Sequence, residues 1–168
     1  EVSRPFSLVN APDEPVLDFY FIEVPGGALS TRLAALQPGD DVWVATKAAG
    51  LMTLKQLAPA SKLFLIATGT GLGPFLSIIK TTEVWQQFEQ VCLVHAVRFA
   101  EELSYQDTIH DMKAAHAEQF HYQPIVSREA TPNTLSGRIP QLIEDQQLEQ
   151  GLGVEIDKDS QVLLCGNP

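Results

Sequence analysis

Positive charge is scarce in this chain. Its 11 Lys and Arg face 21 Asp and Glu, for a formal net charge of −10. Neutralising nucleic-acid phosphates takes a surplus of cations, so this balance argues against a DNA or RNA partner. Cysteine is scarcer still. Cys92 and Cys165 are the only two in 168 residues, far apart and without the spacing of a metal site or a disulfide framework, so a reducing, cytoplasmic setting is expected. No apolar run approaches the ~18 residues of a membrane-spanning helix, and no membrane association is expected. The first residues lack a basic start followed by an apolar core, so no secretion signal is expected in them. What the chain does have is 45% hydrophobic residues, dispersed along its length, with 19% charged. That composition excludes disorder and suits one domain, or one domain with part of another. The chain opens at Glu1 and stops at Cys165-Gly166-Asn167-Pro168, in what reads as the middle of a motif; a longer parent is expected.

The pattern changes near residue 60. Before it, short apolar runs are separated by Pro and Gly. Val16 to Val24 (VLDFYFIEV) is aromatic and β-branched, bounded by Pro15 and Pro25-Gly26-Gly27, and predicts a strand. Arg4 to Val9 and Asp41 to Thr46 are two further strand candidates, and Ser30-Thr31 could cap a short helix ending before Pro38-Gly39. Such a piece is antiparallel and barrel-like, too short to close on itself. After residue 60, the apolar runs 62–67, 91–97, 122–126 and 162–165 read as strands buried on both faces. Helical stretches from Pro74 to Lys80 and beyond, Leu103 to Phe120 and Ile139 to Leu148 separate them. Strand alternating with helix predicts a doubly wound parallel sheet. The expected architecture is two-lobed: a partial antiparallel barrel over 1–60, then an α/β domain over 61–168.

Ligands of open parallel sheets bind outside the carboxyl ends of the strands. The first such end runs into Ala67-Thr68-Gly69-Thr70-Gly71-Leu72-Gly73-Pro74, where glycines allow a close backbone approach and Pro74 suits a helix start. Free N–H groups there would favour an anion. The spacing is GxGxG, neither the GxGxxG fingerprint nor a P-loop, and by itself it describes a tight turn equally well. The arginines are more informative. Residues 81–150 hold four cations, Arg98, Lys113, Arg128 and Arg138, and the three arginines fall at or just beyond predicted strand ends. Three guanidinium forks at one sheet edge suit a dianionic phosphate; the plainer alternative is three surface arginines in local ion pairs, such as Arg128 with Glu129. Cys165 ends the last strand, where it could face a ligand ring or simply pack. Cys92 and His95 read as core. His110, His116 and His121 have no partners at metal spacing, and neither a metal site nor a hydrolytic triad is expected.

Taken in order, these segments resemble the ferredoxin–NADP⁺ reductase family, most closely its bacterial flavodoxin/ferredoxin branch. Arg4-Pro5-Phe6-Ser7 is similar to the family's RxYS flavin motif, with Phe6 in place of tyrosine. Tyr20-Phe21-Ile22 and Ala28-Leu29-Ser30 resemble further flavin-contacting segments. The Ala67–Pro74 glycine segment resembles the nucleotide-side loop. His95-Ala96-Val97-Arg98, Val126-Ser127-Arg128-Glu129 and Ser136-Gly137-Arg138-Ile139-Pro140 resemble its NADP-phosphate segments, and Leu164-Cys165-Gly166-Asn167-Pro168 its terminal strand motif.

The resemblance implies an FAD-dependent NADPH oxidoreductase. It implies Arg4 at the FAD pyrophosphate, Phe6 and Tyr20 as aromatic contacts, and the Ser7 hydroxyl near flavin N5. It also implies Thr70 close to the cofactor, and Val97, Arg98, Ser127, Arg128 and Arg138 around the NADP(H) 2′-phosphate. Cys165 would lie beside the nicotinamide C4. Hydride would pass between NADPH and FAD, and single electrons to or from ferredoxin or flavodoxin. A free-flavin NAD(P)H reductase, or for this stretch alone a non-catalytic NADP-binding module, is the alternative. The resemblance further implies barrel strands before Glu1 and a covering tail after Pro168.

Overall fold

The structure, a computed structural model, describes residues 2–167. Four parallel strands form its sheet: β1 (Lys62–Thr68), β2 (Gln90–Val97), β3 (Phe120–Val126) and β4 (Ser160–Cys165). Their order is β3-β2-β1-β4, with β1 paired in parallel to β2 and β4, and β2 to β3. Chain order reverses between β1 and β4, which makes the α/β arrangement doubly wound. Each sequence-predicted strand after residue 60 is therefore present, within one or two residues at its ends.

Alternation along β1 divides the core. Leu63, Leu65 and Ala67 pack with Leu72, Phe75, Leu76 and Ile79 of α2 (Leu72–Ile79) on one face. Phe64 and Ile66 pack on the other with Cys92, Val94, Leu142, Leu148 and Leu152, the last three from α5 (Ile139–Glu144) and α6 (Gln147–Leu152). Helices α3 (Thr82–Gln87) and α4 (Gln106–Ala115) complete the first face through Val84 and Ile109. Three helical boundaries differ from expectation. The predicted 103–120 helix contracts to α4, because Tyr105 takes a left-handed conformation (φ 59) before it and His116 leaves helical geometry after it. The predicted 139–148 helix divides in two at Gln146, also left-handed at φ 58. Helix α2 starts at Leu72, so Pro74 lies inside its first turn, where the missing N–H has no intrahelical acceptor to lose. Helix α3 stands apart from α2 rather than continuing it, a break that was not anticipated; six residues with one buried side chain are too few for a periodic signal.

The region before residue 60 departs furthest. Its predicted strands 4–9, 16–24 and 41–46 form no ladder; one antiparallel bridge, Leu8 with Phe19, joins the first two. A strand is stabilised by a neighbour's hydrogen bonds and packing, and the described residues supply none to 41–46, where Trp43 is 95% exposed. The short helix is present as α1 (Ser30–Ala34), without a side-chain cap at its start. Residues 8–20 are nonetheless docked. Val9 and Ala11 are buried, Ser77 Oγ donates to the Asn10 carbonyl at 2.7 Å, and Asn10 Oδ1 accepts from the Asp18 N–H at 2.9 Å.

Candidate functional site

The carboxyl end of β1 continues into a 3₁₀ turn, Gly69–Gly71, and directly into α2. Gly69 sits at φ +52, in the left-handed region that favours glycine. Its carbonyl accepts from the Leu72 N–H, closing the turn. Gly71 has an ordinary φ of −59, and a close approach is what excludes a side chain: a Cβ there would fall on the backbone of Cys165 and Gly166. The end of β4 is thus in van der Waals contact with the glycine turn. Thr68 Oγ1 also donates to the Asn167 carbonyl at 3.0 Å, and Gly166, at φ +137, has Thr68 where a side chain would go. Cys165, half-buried at the end of β4 and in register with Ala67, therefore stands beside Thr70 and Gly71. Burial raises its thiol pKa, which keeps it protonated at neutral pH. Pro168, the last residue of the predicted terminal motif, lies outside the described residues.

Two of the three arginines meet at the ends of β2 and β3, where the Arg128 N–H donates to the Arg98 carbonyl at 2.9 Å. Ser127 is beside them, its N–H and Oγ both directed to the carbonyl of buried Val97. The strand-like segment at Leu135 bridges Ile125 and brings the loop ending at Arg138, which precedes α5, to the same sheet edge. Their side chains differ in availability. Arg98 is clamped by Glu102, which accepts from its Nη2 at 2.5 Å, its Nε at 3.1 Å and its backbone N–H at 2.8 Å. The hydrogen bond to Arg98 holds the Glu102 carboxyl below its usual pKa range. Arg128 lies over the Phe99 ring at 6.0 Å, an arrangement its planar cation favours. Among the described residues neither Arg128 nor Arg138 has an ion-pair partner. The Arg128–Glu129 pair of the plainer alternative is absent there; Glu129 instead accepts from the Ala100 N–H at 2.5 Å.

The earlier segments are partly joined to this edge. Tyr20 packs over Gly73, stacks edge-on against Tyr105 at 5.3 Å, and shares a 2.9 Å hydrogen bond with Ser104, so its hydroxyl is already engaged. Phe6 stands edge-on to Phe19 at 6.5 Å and Phe21 at 5.9 Å, forming an aromatic cluster. Arg4, Pro5 and Ser7 are exposed on the same extended stretch, and the Arg4 guanidinium reaches only the neighbouring Ser3 carbonyl. Ile22 and Ala28 are exposed and Leu29 is half-buried. Ser30 Oγ accepts from the Val24 N–H at 3.1 Å. Glu102 and Thr68 were not singled out from sequence. Glu102 stands four residues after Arg98, a readable spacing, whereas the role of Thr68 depends on strands that meet only in the fold.

No group of three or more His, Cys, Asp or Glu suited to a metal occurs among the described residues, and no helix is long and apolar enough to cross a membrane. A doubly wound sheet with a glycine turn at its switch point and arginines at the neighbouring strand ends defines a nucleotide-binding α/β domain. Residues 65–168 match the family model of the oxidoreductase NAD-binding domain. The flavodoxin/ferredoxin–NADP reductase of Escherichia coli is 44% identical over 168 residues, 99% of this chain and 68% of that protein. The ferredoxin–NADP reductase of Pseudomonas aeruginosa is 35% identical, over 98% of this chain and 67% of its own. Among solved structures, a Neisseria gonorrhoeae ferredoxin NADP⁺ reductase with bound FAD and NADP superposes with a TM-score of 0.91 at 32% identity. That match covers 98% of this chain and 67% of the other. The chain belongs to the flavodoxin/ferredoxin–NADP reductase family.

Proposed function

We propose that the chain is the FAD- and NADP(H)-handling part of a reductase that moves electrons between NADPH and a ferredoxin or flavodoxin carrier. Residues 1–60 belong to a flavin-binding barrel lobe and 61–168 to the NADP-binding lobe. When bound, the two cofactors supply two-electron hydride transfer and its division into single electrons. The residues present suit both groups. Arg128 and Arg138 offer guanidinium forks uncommitted to any carboxylate among the described residues, and Ser127 adds a hydroxyl; this donor set matches a 2′-phosphate. Arg98 contributes from beside them while restrained by Glu102. On the other side, exposed Arg4 matches a pyrophosphate, and the cluster of Phe6 and Phe21 offers apolar ring surface near Pro5, Ser7 and Ile22. Ala28 and Leu29 lead into α1, which starts at Ser30, and backbone N–H groups there would serve the same anion.

The observation that carries this reading is the contact between Gly71 and Cys165, since it unites the glycine turn and the end of β4 in a single site. With a nucleotide bound, Thr70 and the Cys165 thiol would border the nicotinamide, orienting it and excluding water, and the Ser7 hydroxyl would hold or pass a proton on the flavin side. Titration with NADP⁺ and NAD⁺ tests the phosphate assignment. NADP⁺ is expected to bind at least about tenfold tighter, the value of one charge-assisted contact, and Arg128→Ala to abolish most of that preference. Equal affinities in the unsubstituted chain would refute the assignment. On the flavin side, the protein is expected to purify yellow and to reduce a dye with NADPH.

A further inference from the structure

His95 is fully buried in the middle of β2, in register with Ala67 on one side and Pro124 on the other. Its imidazole reaches the turn after β1, where Nε2 lies 3.1 Å from the Gly69 carbonyl. A carbonyl can only accept, so Nε2 carries the proton and Nδ1 is a bare lone pair. Nδ1 is buried and has no hydrogen-bond partner. An unpartnered buried acceptor is destabilising, and an apolar residue at this position would avoid that cost. The imidazole is thus a poor choice for core packing alone. Its one polar contact is with the carbonyl that closes the glycine turn, the same carbonyl that accepts from Leu72 N–H. Burial also lowers the imidazole pKa to about 4, so the ring remains a neutral donor across the physiological range.

We infer that His95 is a positioning residue for nucleotide binding: its Nε2–H pins the Gly69 carbonyl, fixing the turn whose next glycine abuts the Cys165 backbone. Two glycines make this turn intrinsically permissive, Gly69 at φ +52 and Gly71 with no side chain to anchor it. Without the His95 contact, the Gly69 peptide would be held only by the Leu72 N–H and by packing at Gly71, and binding would have to order it further. With the tether, the turn is preorganised, and its position is transmitted to Cys165 through direct backbone contact. The arginine cluster does not depend on this tether, since Arg98 and Arg128 are held by their own backbone bond and by Glu102. His95 should therefore affect the nicotinamide–pyrophosphate half of the ligand and leave the adenosine 2′-phosphate half alone. This inference rests on the NADP(H) reading above, and two probes separate its failure from the failure of that reading.

The experiment titrates the unsubstituted chain, His95→Leu and His95→Gln with NADP⁺ and with adenosine 2′-phosphate, and records their thermal midpoints. Leu removes the donor together with the orphan lone pair. Gln carries an N–H donor at about the same reach. His95→Leu is expected to bind NADP⁺ about tenfold more weakly, the equivalent of one lost hydrogen bond, with adenosine 2′-phosphate affinity within about twofold and an unlowered midpoint. His95→Gln is expected to recover most of the NADP⁺ affinity. Unchanged NADP⁺ affinity in His95→Leu would overturn the inference. So would a parallel loss of both ligands with a lowered midpoint, because that is the signature of a residue needed only for packing. If the unsubstituted chain bound neither probe, the NADP(H) reading itself would fall, and this inference with it.

Discussion

Glu102 illustrates how one side chain can set the strength of a candidate phosphate site. Its carboxylate occupies the Arg98 guanidinium and also accepts the Arg98 and Phe99 N–H groups, so it orders the turn after β2 while offsetting one of three positive charges. Glu102→Gln keeps an acceptor for those N–H groups but removes the charge. The pair is surface-exposed, which limits its value; the variant should bind adenosine 2′-phosphate up to about fivefold tighter by titration. Weaker binding would mean that the carboxylate is needed to aim the guanidinium. His95 makes a second expectation at this level. Its pKa is lowered by burial from 6.5 to about 4, so the unfolded chain binds a proton that the folded chain resists. Stability should be full above pH 6.5 and fall progressively toward pH 4, by about 3 kcal/mol from this residue alone. Urea midpoints across that range check the slope, and His95→Gln should flatten it, leaving whatever His121 contributes in the same direction. Arg98, Arg128 and Arg138 were legible in the sequence because cations are rare between residues 81 and 150. The special status of His95 was not, because a histidine within an apolar run looks like core until its reach to Gly69 is seen.

Among the elements, the β1–α2 connection is the best-determined. A buried strand, a glycine turn and an apolar helix of eight residues follow one another without a linker, and the close approach of β4 leaves no space at Gly71. Gly71→Ala should therefore destabilise the chain by about 1–3 kcal/mol, the usual range for overpacking. It should also raise hydrogen exchange at the β4 amides more than at those of β2. Equal protection in the variant would show that the end of β4 can yield at no cost. The parallel strands were legible because burial on both faces leaves continuous apolar runs such as KLFLIA and VCLVHAV. Helix ends were less so. Tyr105 and Gln146 adopt left-handed backbone without being glycine, and only the surrounding packing imposes that. Strand β4 keeps an exposed apolar row: Val162 and Leu164 are 41% and 67% exposed, while Phe64 and Ile66, their register partners on β1, are buried.

The whole molecule is uneven in order. From residue 62 onward, both faces of the sheet carry a packed apolar core, whereas every residue from 34 to 51 is exposed. Limited proteolysis should cut first within 34–51 and leave a resistant product containing the parallel sheet, as mass spectrometry of the early fragments would show. Early cleavage inside 62–126 would contradict this distribution. Docking of residues 8–20 through Val9, Asn10 and Tyr20 predicts that the resistant product retains that segment by association even after the cut.

The sequence by itself determined the α/β rhythm, the order of strand ends and the residues that stand at them, because hydrophobic period and glycine placement are local properties. It also carried the family, through short motifs in a fixed order. Tertiary structure alone decided which of these residues meet. Gly71 against Cys165 and Tyr20 against Ser104 and Tyr105 are contacts made when the chain folds, both joining distant segments. It also decided where the strand prediction failed before residue 60. An apolar alternating run becomes a strand only when a neighbour offers hydrogen bonds and a surface to bury against, and neighbours are a property of the fold.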